Sequence, residues 1–129
     1  MQGGKKAQKP VLYKIESQEQ FLEKISAENP KLICIDVHLD WCGRCDSMEP
    51  SYRQLHMTFD EDYKTIEFFS ASEEFIPEEI LGGLTEGPLT CKPRFLIFFE
   101  GEKKAEVSGA VYPRLEEHIG KHKPANEDL

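Results

Sequence analysis

A nearly continuous run of apolar residues from Leu32 to Val37 contains one charged residue, Asp36. Strands covered on both faces have this composition, and such strands are typical of parallel sheets that lie between layers of helices. The run therefore predicts a central, doubly covered strand. A carboxylate inside such a strand is an anomaly that needs a reason, because burying a charge costs free energy.

The segments on both sides of this run alternate between strand-like and helix-like patterns. Strands are predicted over 11–15, 32–37, 65–69, 95–99 and 107–111, with a loop over 82–90 and a turn over 100–103. The first helix begins at the capping pair Ser17 and Gln20, has Phe21, Leu22 and Ile25 on one face, and ends at Asn29-Pro30. The second helix runs through Met48, Tyr52, Leu55 and Phe59 with a kink at Pro50, the third is acidic and spans 73–81, and the last begins at Pro113 with Leu115 and Ile119 inward. This order, β-α-β-α-β-α-β-β-α, predicts an α/β fold with a mixed central β-sheet flanked by helices on both faces.

The chain has 129 residues, a length typical of one domain. We expect that domain to span 11–120, between a flexible N-terminal tail over 1–10 and a flexible C-terminal tail over 121–129. The net charge of −8 argues against a nucleic-acid partner, whose phosphates need a basic face, and leaves a basic protein as an alternative to a merely solvated surface. Neither an apolar span nor a secretory signal is recognised, so we expect no membrane partner and a reducing cytoplasm.

Two cysteines, Cys42 and Cys45, stand where the central strand passes into the second helix. The free N–H groups and the positive dipole end of a helix N-terminus stabilise a thiolate, so Cys42 is the candidate nucleophile. Its thiolate would attack a substrate disulfide and form a mixed disulfide, which Cys45 would resolve. This chemistry needs the two sulfur atoms alone, and no cofactor is predicted.

Half of a zinc site is the competing interpretation of the same cysteine pair. A zinc ion needs two further ligands at suitable spacing. Cys34 lies inside a strand, Cys91 lies far along the chain, and the sequence has no His-x-x-x-His motif. We therefore predict no metal site.

The segment from Asp36 to Pro50 resembles the active-site region of the thioredoxin family. Trp41 precedes the first cysteine, Asp36 lies six residues before it, and Pro50 lies five residues after the second. Farther along, Cys91-Lys92-Pro93-Arg94-Phe95 resembles the strand that opens with the family's cis-proline, and Gly101 and Gly109 match the glycines of its final hairpin. The resemblance covers residues 11–120 and implies the thioredoxin fold.

The resemblance implies a role for each matching residue. Cys42 is the attacking nucleophile, Cys45 is the resolving thiol, and Asp36 is a buried carboxylate whose raised pKa suits proton transfer to and from Cys45. A tolerated charge at the end of a strand is the alternative for Asp36. The substrate groove that the resemblance implies contains Trp41, Gly43, Arg44, Lys92 and Pro93, with Trp41 shielding the site or filling the core, and with a cis bond before Pro93.

Departures from the family's pattern suggest a specialised task. Arg44 replaces the usual proline between the cysteines, and its charge should lower the pKa of Cys42 and make the pair more oxidising, although Asp40, Asp46 and Glu49 oppose this. Lys92 replaces an apolar residue or threonine before the proline. The loop over 82–90 is extended, either as a docking surface or as a neutral insertion.

Four further residues have plainer interpretations. Cys91 is predicted to be an inert, partly covered thiol, with an intermolecular disulfide and a regulatory role as the alternative. Cys34 is predicted to be a small core residue. His38 and His56 are predicted to lie at the surface or at its boundary, outside the catalytic set.

The overall pattern is similar to the thioredoxin-type light chains of ciliary and flagellar outer-arm dynein, and to the related domain fused to nucleoside diphosphate kinase modules. This similarity implies a redox-active subunit that binds a dynein heavy chain in the axoneme of a cilium or flagellum. The alternative is a free cytosolic thiol–disulfide oxidoreductase that acts on many client protein disulfides. A purely structural domain is disfavoured by the intact cysteine pair.

Overall fold

The computed structural model describes residues 10–42 and 48–124. Its strands are β1 (Tyr13–Lys14), β2 (Leu32–His38), β3 (Ile66–Ser72), β4 (Arg94–Phe99) and β5 (Glu102–Ser108). Its helices are α1 (Gln18–Lys24), α2 (Glu49–Phe59), α3 (Glu78–Leu81) and α4 (Tyr112–His122), with a 3-10 turn at Glu73–Phe75. The strands form one sheet in the order β1-β3-β2-β4-β5, and the predicted order of strands and helices is confirmed.

Strand β2 lies at the centre of the sheet, as its apolar composition predicts. It pairs parallel with β3 and antiparallel with β4, while β1 joins the far side of β3 and β5 the far side of β4. Successive side chains of a strand point to opposite faces of the sheet. Residues 32–37 of β2 are therefore all buried, because both faces of the sheet are covered by helices.

Two apolar clusters cover the two faces of the sheet. One joins Cys34 of β2 to Tyr52 of α2 and to Leu115 and Ile119 of α4. The other joins Ile33, Ile35 and Val37 of β2 to Phe21 of α1, Phe69 of β3, and Leu96 and Phe98 of β4. The predicted inner face of the last helix is confirmed, and so is the prediction that Cys34 is a core residue.

Helix α1 begins at the predicted cap but is shorter than predicted. The hydroxyl of Ser17 accepts a hydrogen bond from the Gln20 N–H at 3.0 Å. The helix ends at Lys24, before the predicted stop at Asn29-Pro30. Leu22 is 47% exposed, so its predicted place beside Phe21 on the buried face is wrong. Each helical residue is rotated by about 100° from the one before, which turns Leu22 toward solvent.

Proline and glycine residues account for two further differences from the predicted elements. Pro77 separates the predicted acidic helix into the 3-10 turn and α3. Gly101 (φ 85°), after Glu100 (φ 55°), makes a tight turn, so β5 starts at Glu102 and ends before most of the predicted 107–111 strand. Helix α4 ends at His122, within the segment predicted as a tail.

Helix α2 as described begins at Glu49, which puts Pro50 in its first turn. Backbone N–H groups in the first turn of a helix have no acceptor within the helix. The absence of an N–H at Pro50 therefore removes no helical hydrogen bond. The predicted kink supposes a helix that begins earlier, over residues outside those described. Of the helices in 10–42 and 48–124, none has both the length and the apolar character needed to cross a membrane.

Candidate redox site

The segment that follows β2 carries the first cysteine of the motif. A turn closes it, in which the N–H of Cys42 donates to the carbonyl oxygen of Leu39 at 3.0 Å. Trp41 is 77% exposed, so the alternative that this side chain fills the core is wrong. The predicted site residues Gly43, Arg44 and Cys45 lie outside the described residues, and their roles stay predictions.

Cys42 is joined to Cys91 by a disulfide bond, with their Cα atoms 5.6 Å apart. The prediction that Cys91 is an inert, partly covered thiol is wrong, because it is exposed and bonded. The alternative prediction is a disulfide to another molecule, whereas the partner of Cys91 in the structure is Cys42 of the same chain. The sheet register explains the contact: Val37 pairs with Arg94, so the residues just after β2 meet the residues just before β4.

Asp36 is a buried residue, as predicted, with 1% of its surface exposed. It pairs with Ser70 of β3 and with Phe95 of β4 in the sheet. Burial raises the pKa of the neighbouring Cys34 thiol, and the charge of Asp36 raises it further. Cys34 is therefore a thiol that stays protonated in the core, and the predicted proton transfer between Asp36 and Cys45 stays a prediction.

The turn that carries Cys91 continues into the predicted groove residues Lys92 and Pro93. Lys92 is exposed and Pro93 is half-buried. No cis peptide bond occurs in residues 10–42 and 48–124, so the predicted cis bond before Pro93 is wrong. The trans form is the more stable isomer even before proline, by about 0.5–1 kcal/mol. The carbonyl oxygen of Pro93 accepts a hydrogen bond from the Gly109 N–H at 2.8 Å, which fixes the start of β4.

A buried ion pair between Arg94 and Glu106, which the sequence did not predict, lies directly after this turn. The Nη1 atom of Arg94 lies 3.0 Å from Oε2 of Glu106, and both side chains are almost wholly buried. The same guanidinium donates to the carbonyl oxygens of Gly87 at 2.7 Å and Pro88 at 3.0 Å. One side chain of β4 therefore ties the loop over 82–90 to the sheet.

Glu106 completes the attachment of the loop from the β5 side. Its carboxylate accepts hydrogen bonds from the N–H of Thr85 at 2.8 Å, from the N–H of Glu86 at 2.9 Å and from the ammonium of Lys103 at 2.8 Å. Burial acts to raise the pKa of Glu106, but the bonds from Lys103, Thr85 and Glu86 outweigh it and lower the pKa to about 2. The carboxylate is thus charged throughout the neutral range.

The two histidines named in the sequence analysis differ in burial and in their partners. His56 is buried, so its predicted surface position is wrong. Its ring stacks on Tyr63 and its Nδ1 lies 3.2 Å from Oδ2 of Asp60, which itself accepts the Ile66 N–H at 2.9 Å. His38 is half-buried, 3.4 Å from the Ser70 hydroxyl. In the described ranges no three His, Cys, Asp or Glu side chains are grouped as metal ligands would be.

A five-stranded mixed sheet covered on both faces, with a cysteine after its central strand, defines a protein of the thioredoxin-fold class. The family model named Thioredoxin matches residues 12–121, and the chain belongs to the thioredoxin family. The positive φ angles of Gly101 and Gly109, 85° and 90°, agree with the two hairpin glycines on which the resemblance partly rested.

Individual relatives include thioredoxins and a motor-protein subunit. The chain is 31% identical to the thioredoxin of Homo sapiens over 109 residues, which are 84% of this chain and 96% of that protein. It is 25% identical over 120 residues to the 16 kDa dynein light chain of the flagellar outer arm of Chlamydomonas reinhardtii, covering 93% of this chain and 74% of that protein. In structure it is similar to thioredoxin NaTrxh of Nicotiana alata, with a TM-score of 0.64, 23% identity, and coverage of 94% and 100%.

Proposed function

We propose that the chain is a redox-active, thioredoxin-like subunit of an axonemal outer-arm dynein that binds a dynein heavy chain. The observation that supports this is the extent of the similarity to the flagellar dynein light chain, over 93% of the chain, against 84% for human thioredoxin. The replacement of the general-purpose motif by Cys42-Gly43-Arg44-Cys45 is consistent with a specialised task. The subunit would act in the cytoplasm and in the axoneme of a cilium or flagellum.

The proposed chemistry is thiol–disulfide exchange at Cys42. The Cys42 thiolate attacks one sulfur of a client disulfide and forms a mixed disulfide, while the other client sulfur leaves as a thiolate. Cys45, after it loses its proton, then attacks the Cys42 sulfur as a thiolate and forms a Cys42–Cys45 disulfide, while the second client sulfur leaves as a thiolate and takes up a proton. Asp36 exchanges the proton of Cys45, and the exposed Trp41 beside Cys42 gives the client an apolar contact.

The second candidate function is a free thiol–disulfide oxidoreductase with many client proteins. The similarity to human thioredoxin, which the chain matches over 96% of that protein's length, favours it. The two functions share the exchange chemistry. They differ in whether one stable partner or many transient ones engage the chain.

Affinity capture from a ciliary or flagellar extract separates the two. Tagged wild-type protein is compared with a trapping variant, Cys45→Ser/Cys91→Ser, and with Cys42→Ser/Cys45→Ser, which has no nucleophile. Cys91 is removed from the trap because it is bonded to Cys42 in the structure. A dynein heavy chain, identified by mass spectrometry, that is retained equally by all three and survives reductant supports the subunit. Many proteins held by the trap alone and released by reductant support the oxidoreductase, and loss of the heavy chain from all three contradicts the dynein proposal.

The exchange activity is measured separately, by following how fast dithiothreitol reduces insulin disulfides in the presence of the protein. Cys42→Ser is expected to abolish the acceleration, because the attacking sulfur is gone. Cys34→Ala is the matched control, since Cys34 is buried in the core and its raised pKa keeps it protonated. An unchanged rate with Cys42→Ser would contradict the assignment of the nucleophile.

A further inference from the structure

We propose that Cys91 is a second resolving thiol for Cys42, able to release a bound client without Cys45. This rests on the proposed exchange reaction at Cys42 and adds a catalytic residue to it. The observation that carries it is the disulfide between the two sulfurs, which places them at bonding distance within one folded chain. A resolving thiol needs that access to the sulfur of the nucleophile.

The sheet brings the two cysteines together. Strands β2 and β4 are antiparallel neighbours, and Val37 of β2 pairs with Arg94 of β4. The chain that leaves β2 therefore meets the chain that enters β4. The Cα atoms of Cys42 and Cys91 lie 5.6 Å apart, within the 4.4–6.8 Å range over which a disulfide can form.

Hydrogen bonds on both sides hold the turn that carries Cys91. On its N-terminal side, Arg94 binds the carbonyl oxygens of Gly87 and Pro88. Within the turn, the hydroxyl of Thr90 accepts the Lys92 N–H at 3.2 Å, and Pro93 is tied to the final hairpin. Holding a reacting group in place converts a bimolecular step into an intramolecular one, which favours Cys91 over any thiol in solution.

Cys34 cannot take the same role. It is buried among the side chains that cover the α2 and α4 face of the sheet, and its pKa is raised by burial and by the charge of Asp36. The attacking species in an exchange is a thiolate that can reach the disulfide. Cys91 is exposed and bonded to the Cys42 sulfur, so of the two it alone can reach a mixed disulfide on Cys42.

The reaction balances without a further oxidant. The client disulfide accepts the electrons: the Cys42 thiolate forms the mixed disulfide and releases the first client sulfur. The Cys91 thiolate then attacks the Cys42 sulfur, the bond to the client breaks, and the second client sulfur leaves as a thiolate that takes up a proton. The client is reduced to its dithiol, the Cys42–Cys91 disulfide forms, and Cys45 stays reduced.

The test uses a small disulfide whose leaving group is coloured, dithiobis(nitrobenzoate), added in equimolar amount to reduced Cys45→Ser protein. Attack by Cys42 releases one thionitrobenzoate and leaves the other on the protein. We expect a second release at a rate independent of protein concentration, and a final mass equal to that of the protein without its two thiol hydrogens. In the matched variant Cys45→Ser/Cys91→Ser, we expect the adduct to persist at least about a hundredfold longer, because an intramolecular thiol is removed.

Two outcomes separate the failure of this inference from the failure of the proposed function. If the adduct forms but persists equally in both variants, Cys91 does not resolve it and the inference is overturned, while the nucleophile at Cys42 stands. If Cys42→Ser/Cys45→Ser releases its first thionitrobenzoate as fast as Cys45→Ser does, then Cys42 is not the nucleophile and both fail. Cys45→Ser/Cys91→Ala repeats the comparison with a second side chain, and circular dichroism verifies that each variant is folded.

Peptide mapping of the wild-type chain tests whether Cys91 competes with Cys45 in the intact site. Trypsin cuts after Arg44 and therefore places Cys42, together with the buried Cys34, in peptide 32–44, Cys45 in peptide 45–53 and Cys91 in peptide 65–94. After equimolar oxidation and blocking of free thiols, we expect a linked pair of 32–44 with 65–94 beside the pair of 32–44 with 45–53. Complete absence of the first pair at every time point would overturn the inference for the wild-type protein.

Discussion

The exchange of Glu106 for glutamine tests whether the buried ion pair holds the loop before Cys91. The carboxylate of Glu106 receives the guanidinium of Arg94, the ammonium of Lys103 and the N–H groups of Thr85 and Glu86. Glutamine has nearly the same shape, but it is neutral and presents an N–H₂ group to donors. The substitution therefore leaves the Arg94 guanidinium buried without a counter-charge.

Two independent routes give a similar size for the loss. Removing one partner of a buried ion pair costs about 3–5 kcal/mol. The pKa of Glu106, lowered from 4.5 to about 2, corresponds to about 3 kcal/mol of stability gained by the ionised carboxylate. Because the folded-state pKa lies below the unfolded value, this stability is present above pH 4.5 and is lost as the pH falls toward about 2. We expect Glu106→Gln to lower the free energy of unfolding at neutral pH by about 3 kcal/mol.

Urea unfolding of the reduced protein, repeated across the acid range, measures both effects. The wild-type chain should lose stability more steeply than Glu106→Gln as the pH falls below 4.5. Glu102→Gln is the matched control, because this carboxylate lies on the same strand with a side chain that is 75% exposed and pairs with Lys104 at the surface. Its loss should stay below about 1 kcal/mol. A loss of less than about 1 kcal/mol for Glu106→Gln, or an unchanged acid dependence, would refute the role assigned to the ion pair.

Three further outcomes are expected in the same unfolding assay. Burial lowers the pKa of His56 below 6.5, so the wild-type chain should lose stability as the pH falls below 6.5. His56→Gln should reduce that pH dependence. Parallel curves of unfolding free energy against pH for the two proteins would contradict this. Asp60→Asn should cost about 2 kcal/mol, because the carboxylate of this residue, which follows α2, accepts hydrogen bonds from three backbone N–H groups. A loss within error would contradict that. Gly101→Ala should cost about 3 kcal/mol, because its φ is positive and an added Cβ would lie 3.1 Å from the Ala27 Cβ. Gly87 also has a positive φ, but an added Cβ would meet no atom within 4 Å, so Gly87→Ala should cost about 1 kcal/mol. Equal losses for the two glycines would show that the contact with Ala27 is unimportant.

Local patterns in the sequence predicted most of the secondary structure. The apolar run of β2 and the cap at Ser17 depend on neighbouring residues, and both are confirmed. The spacing of Leu115 and Ile119 likewise predicted the buried face of α4. Boundaries were less accurate, as at Pro77, where a proline divides a segment whose acidic composition alone suggested one helix.

The contacts that the sequence did not predict join residues that are distant in the chain. Cys42 and Cys91 are 49 positions apart, and a spacing of that length carries no periodic signal. In the β4–β5 hairpin Arg94 pairs with Ser108 and Leu96 pairs with Glu106, so Arg94 and Glu106 are diagonal neighbours. A bulge at Ile97/Phe98 contributes to this register. The sequence shows the two charged residues in adjacent predicted segments. It does not show that they are buried, because their burial depends on the loop over 82–90 that folds over them.

The sequence predicts the loop over 82–90 either as a docking surface or as a neutral insertion, and its contacts give it a definite structural role. Arg94 and Glu106 together bind the backbone of Thr85, Glu86, Gly87 and Pro88, so the loop is fixed to the two last strands just before Cys91. A loosely held loop would let Cys91 sample many positions, at an entropic cost to any bond with Cys42. A fixed loop has already lost that freedom on folding. We therefore expect formation of the Cys42–Cys91 disulfide to depend on the buried ion pair. Glu106→Gln should slow the resolution step by Cys91. It should leave the rate of attack by Cys42 unchanged, because β2 and the turn at Leu39 position Cys42 without the loop.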